Sequence, residues 1–233
     1  ITVSVVTALL PRLSNYVLDK KHEELTNSLA RAIKLIGIFT VPAALLFLAF
    51  GQLIANTLYF GISDADANYL GLTLSAFALG LIPVSINLVL LRGLNAFENL
   101  KSQVIGNLIM NLVSVVLSYL VAVWLEPKWV TVGLAAIFTL HYFIGTGISF
   151  YLIKRHQVKL PLVSIMLYYL KLIAIFALVI TPIWLLRGAI PGGNLISLLL
   201  VTSLSGIFYL LIAKLLKISE VSDLLKVIRS RKV

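Results

Sequence analysis

Cysteine is absent from this 233-residue chain, and charge is scarce: only 12% of the residues are Asp, Glu, Lys or Arg. An ordinary soluble domain carries about 25%. The missing thiols exclude disulfides, cysteine metal sites and thiol nucleophiles, and leave the compartment open. Acid is the scarcer sign, with nine Asp and Glu against nineteen Lys and Arg. No His or carboxylate grouping has the spacing of a metal site, so neither metal nor cofactor is expected. A Gly-rich phosphate loop, a Walker lysine, an HExxH pair and a nucleophile beside a base are all missing, which argues against an enzyme and an ATP-driven pump.

What the chain has instead is apolar runs: 60% of its residues are apolar and the mean hydropathy is +1.04. A helix needs roughly 20 apolar residues to cross about 30 Å of hydrocarbon. Six blocks meet that test, Leu35 to Tyr59, Ala67 to Leu91, Gln103 to Leu125, Val130 to Ile153, Ile165 to Leu186 and Leu195 to Leu216. A seventh, Ile1 to Leu10, is about half a span and reads as a helix cut short, with a larger protein continuing upstream. The expected fold class is all-α, a polytopic transmembrane helical bundle of six full spans plus one truncated span.

Basic residues give the orientation, because short cytoplasmic loops retain Lys and Arg. Arg12, Lys20, Lys21, Arg31 and Lys34 follow the first segment, Arg92 and Lys101 the third, Lys154, Arg155 and Lys159 the fifth, and Lys214, Lys217, Lys226, Arg229, Arg231 and Lys232 the seventh. The opposite loops hold only Lys128 and Arg187, with Asp64, Asp66 and Glu126. The segments therefore alternate, and the C-terminus is expected in the cytoplasm. The net charge of +10 then reflects topology and anionic lipid headgroups rather than nucleic acid.

Two stretches read as interfacial. Val17, Leu25, Leu29 and Ile33 recur at helical spacing opposite Asp19, Lys20, Glu23 and Glu24, which predicts an amphipathic connector over about 13–34 lying along the inner leaflet or transmitting motion. Ile218, Val221, Leu225 and Ile228 repeat beside Lys226, Arg229 and Arg231, an amphipathic basic tail over 218–233 with Ser219 or Ser222 as cap.

Polar groups inside spans are costly and face protein or a water-filled cavity. Asn87, Asn107 and Asn111 read either as hydrogen-bonding glue between helices or as cavity lining. His141, followed by Tyr142, is either a proton relay or a neutral ring bonded to a neighbouring helix. Lys171 either snorkels to the inner headgroups or faces a polar cavity, and Arg92 lies at the interface within snorkelling reach. Pro42, Gly80, Pro83 and Pro182 are candidate kinks or hinges, and Gly133, Gly145 and Gly147 suit close helix approach.

A series of motifs in one order carries a resemblance. Thr7-Ala-Leu-Leu-Pro-Arg-Leu-Ser14 is followed by Pro42-Ala-Ala-Leu. Ala78-Leu-Gly-Leu-Ile-Pro83 leads to Leu91-Arg92-Gly and Asn95-Ala-Phe-Glu98, and Gly133-Leu-Ala-Ala136 opens a span that ends in Lys154-Arg155. The set resembles the C-terminal half of the MurJ/MviN family of lipid II flippases, within the MATE-like superfamily, and looks most like its actinobacterial members. It departs from the family at Asn95, where many members have Tyr, and at Glu98-Asn-Leu-Lys-Ser102, which lacks their Pro.

The resemblance implies the C-terminal lobe of a two-lobed transporter, with second-lobe helices over 1–160, two additional helices over 161–217 and the basic tail beyond. It implies alternating-access flipping of a lipid-linked cell-wall precursor across the bacterial cytoplasmic membrane. Arg92 and Lys171 would serve as supporting cations, and Asn87, Asn111 and His141 as polar lining. The expected partners are that precursor, anionic membrane lipids, the N-terminal half of the transporter and cell-wall synthesis proteins, with no nucleic acid. The other readings are an exporter of a different lipid-linked oligosaccharide or small molecule, and a non-transporting scaffold for cell-wall enzymes. A drug exporter would place acidic residues in its spans, and this chain has none there.

Overall fold

The computed structural model describes residues 11–98, 100–186, 193–216, 218 and 220. The expected half-span over 1–10 and nearly all of the expected basic tail lie outside them. Helix α1 covers 11–18, followed by α2 (His22–Leu58), α3 (Asp64–Ala96), α4 (Leu100–Trp124), α5 (Pro127–Arg155), α6 (Leu162–Leu185) and α7 (Asn194–Leu215). The described residues contain no strand. Helices α2 to α7 are each long and apolar enough to cross a membrane, so the chain is a multi-pass, all-helical bundle.

Local chemistry sets the ends. Ser63 caps α3, its side chain accepting from the Asp66 backbone N–H at 3.1 Å, and Asp64 and Asp66 sit in the first turn, where the helix dipole favours them. Pro127 opens α5, and Lys154 and Arg155 close it at the end that favours cations. Tight reversals follow at one end of the bundle. Lys20, Glu98 and Gln157 have φ values of 55°, 55° and 63°, in the left-handed region that costs non-glycine residues energy.

The connector differs from its sequence reading. Lys20 breaks it, and residues 22–34 run on into the span as one 37-residue helix. Leu25, Leu29 and Ile33 are fully buried against protein rather than lying on a membrane surface. The physical reason is a matching small residue: Leu29 packs on Gly93 of α3, beside Ile153 of α5. An apolar stripe that reads as interfacial is equally a packing stripe when a neighbouring helix offers a glycine.

The non-helical dihedrals within α2 do not fall at the candidate kinks. Pro42, Pro83 and Pro182 lie inside helices with helical dihedrals, and α3 stays helical through Gly80. The break in α2 is at Phe50, with φ −124° and ψ 23°. One residue later, Gly51 meets Gly71 of α3 so closely that a Cβ on Gly51 would lie 2.6 Å from the Gly71 carbonyl oxygen. Ser75 donates to the carbonyls of Gly71 at 3.0 Å and of Phe47, one turn before the break, at 3.4 Å.

Helix α2 is the centre of the bundle, packed on α3, α6 and α7, while α3 packs on α5 and α5 on α4. Tyr169 of α6 fits over Gly37 and donates its hydroxyl to the Ile33 carbonyl at 2.8 Å. Further along α6, Phe176 meets Tyr209 of α7 edge-on at 5.4 Å. These contacts place α6 and α7 on the side of α2 away from α4.

Candidate functional site

Two arrangements of membrane-embedded polar residues are built on α5. Toward α3, α5 offers a ladder of hydroxyls. Thr139 donates to the Ala76 carbonyl at 2.6 Å, Thr146 to the Pro83 carbonyl at 2.8 Å, and Ser149 to Asn87 Oδ1 at 2.7 Å. The partners advance together along both helices, so α3 and α5 run parallel. Gly80 lets the helices approach, since a Cβ there would sit 2.9 Å from Thr139 Oγ1. Each such bond in a membrane bundle contributes about 0.6–2 kcal/mol, and together they clamp α3 to α5 across Pro83.

Toward α4 the chemistry is open. Gln103, Asn107, Asn111, Ser114 and Ser118 recur every three or four residues and so share one face of α4. Asn107 and Asn111 are exposed, and the amide nitrogen of Gln103 is buried without a hydrogen-bond partner. Ser114 Oγ and His141 Nδ1 lie 2.7 Å apart, and Met110 packs on Gly145. This antiparallel register brings Asn111 and Ser114 to the level of His141 and Tyr142.

Aromatic rings continue the surface onto α3. Phe77 meets Phe138 edge-on at 5.0 Å, Phe138 meets Tyr142 at 4.9 Å, and Tyr142 meets His141 at 5.0 Å. Helices α3 and α4 touch little, and the rings and the α4 stripe flank the stretch of α5 between them. A separate cavity of about 320 Å³ opens between α2, α3, α5 and α6 beside Pro83, lined by apolar groups such as Leu48, Ile82 and Phe143. It suits hydrocarbon and offers nothing to a headgroup.

The structure divides the five predicted site residues. Asn87 is buried to 3% exposure and bonded to Ser149, so it joins helices rather than lining a space. Asn111 is exposed on the polar stripe of α4, and His141 of α5 is held by Ser114, one turn along that stripe. Arg92 is half-buried near the end of α3, with no ion-pair partner among the described residues. Lys171 stands apart on α6: exposed, with Nζ 3.5 Å from the Leu216 carbonyl at the end of α7, where a cation offsets the helix dipole. No group of three or more His and carboxylate side chains gathers among the described residues.

Sequence reading missed Thr139, Thr146 and Ser149, because single hydroxyls in a span are common and only their partners on α3 give them meaning. The full α4 stripe was within reach, since its spacing is visible from 103 to 118.

Below these side chains, three comparisons agree. The family model described as "Lipid II flippase MurJ" matches residues 1–213. A curated relative, "Probable lipid II flippase MurJ" of Treponema pallidum (strain Nichols), is 26% identical over 190 residues, 78% of this chain and 35% of that protein. The solved structure "Lipid II flippase MurJ, inward closed conformation" superposes with a TM-score of 0.70 at 22% identity, covering 92% of this chain and 44% of that one. The chain thus spans about a third of the curated relative and less than half of the solved structure. With a helical order and a fold that both match, and a family model covering nearly its whole length, this chain belongs to the MurJ family.

Proposed function

We propose that the protein works in flipping lipid II, the lipid-linked peptidoglycan precursor, from the inner to the outer leaflet of the bacterial cytoplasmic membrane by alternating access. The family match over residues 1–213 carries this reading. The bundle supplies a physical route for it. A hydrophilic headgroup crossing about 30 Å of hydrocarbon needs polar partners along the way, and the α4 stripe from Gln103 to Ser118 offers them over about 22 Å.

The basic end of the bundle, with Lys34, Lys154 and Arg155, faces the cytoplasm by the positive-inside rule, which also puts the C-terminus there. Arg92 lies near that end of α3 and is the cation best placed in this chain to meet a pyrophosphate as it enters. Asn111 and His141 line the polar face, and the clamped α3–α5 pair moves as one body when the lobes rock. Lys171 anchors α7 at the inner interface, where anionic lipids gather. Energy comes from the membrane potential or an ion gradient, and cell-wall synthesis proteins are the natural neighbours of such a transporter.

The test is depletion of the full-length protein in its own cells, followed by an assay of lipid II at the outer face. Precursor accumulating on the inner side supports the flippase. Unchanged exposure, in a strain shown to have no second flippase, overturns it.

A further inference from the structure

We infer that the face of α5 between α3 and α4, with the polar stripe of α4 beside it, is a carbohydrate-recognising surface that takes the sugar portion of the transported lipid, rather than its phosphates. The inference rests on the flippase reading and deepens it. Its basis is chemical. Beyond Lys101 in its first turn, α4 has no Asp, Glu, Lys or Arg through Trp124, and α5 has none from Val130 to Ile153. A pyrophosphate seeks cations and finds none there. A sugar ring has two demands: neutral donors and acceptors for its hydroxyls, and an apolar face for its C–H groups.

Both are present on this surface. The Asn111 carboxamide is exposed and can both donate and accept. Ser114 lies one turn along the same face and holds His141 through Nδ1, which leaves Nε2 without a partner among the described residues. Beside them Tyr142 and Phe138 continue to Phe77 as an edge-to-face series. Phe138 and Phe77 stay 36% and 38% exposed, so ring surface remains open to a ligand. Amides and hydroxyls beside open aromatic faces suit a pyranose, whose hydroxyl edge bonds to the first and whose C–H face packs on the second. The seam toward α3 shows the contrast, for there each polar side chain already has its partner.

The experiment uses the full-length protein in lipid nanodiscs and two probes, a polyprenyl pyrophosphate carrying a disaccharide and the same polyprenyl pyrophosphate without sugar. Affinities are measured for the wild type, Asn111→Ala, Tyr142→Leu and Leu112→Ala, the last on the opposite face of α4 as a control for folding. Asn111→Ala and Tyr142→Leu are expected to weaken the sugar-bearing lipid about fivefold and to leave the sugarless lipid within about twofold, the effect of one lost hydrogen bond or ring contact. Leu112→Ala should leave both unchanged. Equal losses for the two lipids, or none, in variants whose thermal unfolding matches the wild type, would overturn the inference while leaving the flippase reading intact. A wild type that binds neither lipid overturns both.

Discussion

The two faces of α5 carry similar residues and do different things. Toward α3, Thr139, Thr146 and Ser149 are each bonded, and Asn87 is consumed in the seam. Toward α4, Asn107 and Asn111 are exposed and Gln103 keeps an unpaired nitrogen. A polar residue in a span is therefore not by itself a sign of a transport path. Pairing decides: a satisfied side chain is cohesion, and an unsatisfied one at membrane depth needs water or substrate to offset its desolvation.

The comparison breaks most severely where the packing that supports the seam is tightest. Gly71→Val places side-chain atoms where a Cβ alone would lie 2.6 Å from the Gln52 backbone nitrogen, and neither backbone can yield. The expected loss is about 3 kcal/mol, read as a collapse of the thermal unfolding temperature in detergent. Next comes the seam itself. Asn87→Leu leaves Ser149 unpaired and should cost about 1–2 kcal/mol in the same measurement, with transport per folded molecule little changed.

Lys171→Ala removes a cation from the α7 terminus and should cost about 0.5 kcal/mol, with lipid II exposure unaltered. A transport defect in that variant would instead move Lys171 into the substrate's path. The smallest effect is at the basic end, where His156 stacks on Phe97 at 4.3 Å. Partial burial lowers the imidazole pKa below its ordinary 6.5, so the folded state favours the neutral ring. On acidification the unfolded chain takes up this proton first. The stability from neutral His156 is thus full above 6.5 and is lost as pH falls through the lowered folded-state value. Phe97→Ala should return the ring toward 6.5, which a proton titration followed by NMR would show.

Much of this architecture is legible in the residues. The span from Gln103 to Leu125 reappears as Leu100–Trp124, and Ile165 to Leu186 as Leu162–Leu185, because a hydrophobic run bounded by polar loops is a one-dimensional signal. What depends on a second helix is not. The break at Phe50 answers to a glycine contact twenty residues away in sequence, between Gly51 and Gly71. The burial of Leu25, Leu29 and Ile33 answers to Gly93 and the ends of α3 and α5. At the site, residue type and depth in the spans picked out Asn87, Asn111 and His141 alike, but only tertiary contacts separate Asn87, which is bonded, from Asn111, which is not.

That separation is tested most directly by measuring lipid II at the outer face in cells carrying Asn87→Ala or Asn111→Ala in the full-length protein, each normalised to the amount of folded protein in the membrane. Asn87→Ala should lower the amount of protein and leave flipping per molecule near the wild-type value. Asn111→Ala should do the reverse, with normal abundance and flipping reduced about fivefold, the scale of one lost hydrogen bond. Equal flipping per molecule in the two variants would contradict the account, because pairing would then say nothing about which polar residues the substrate meets.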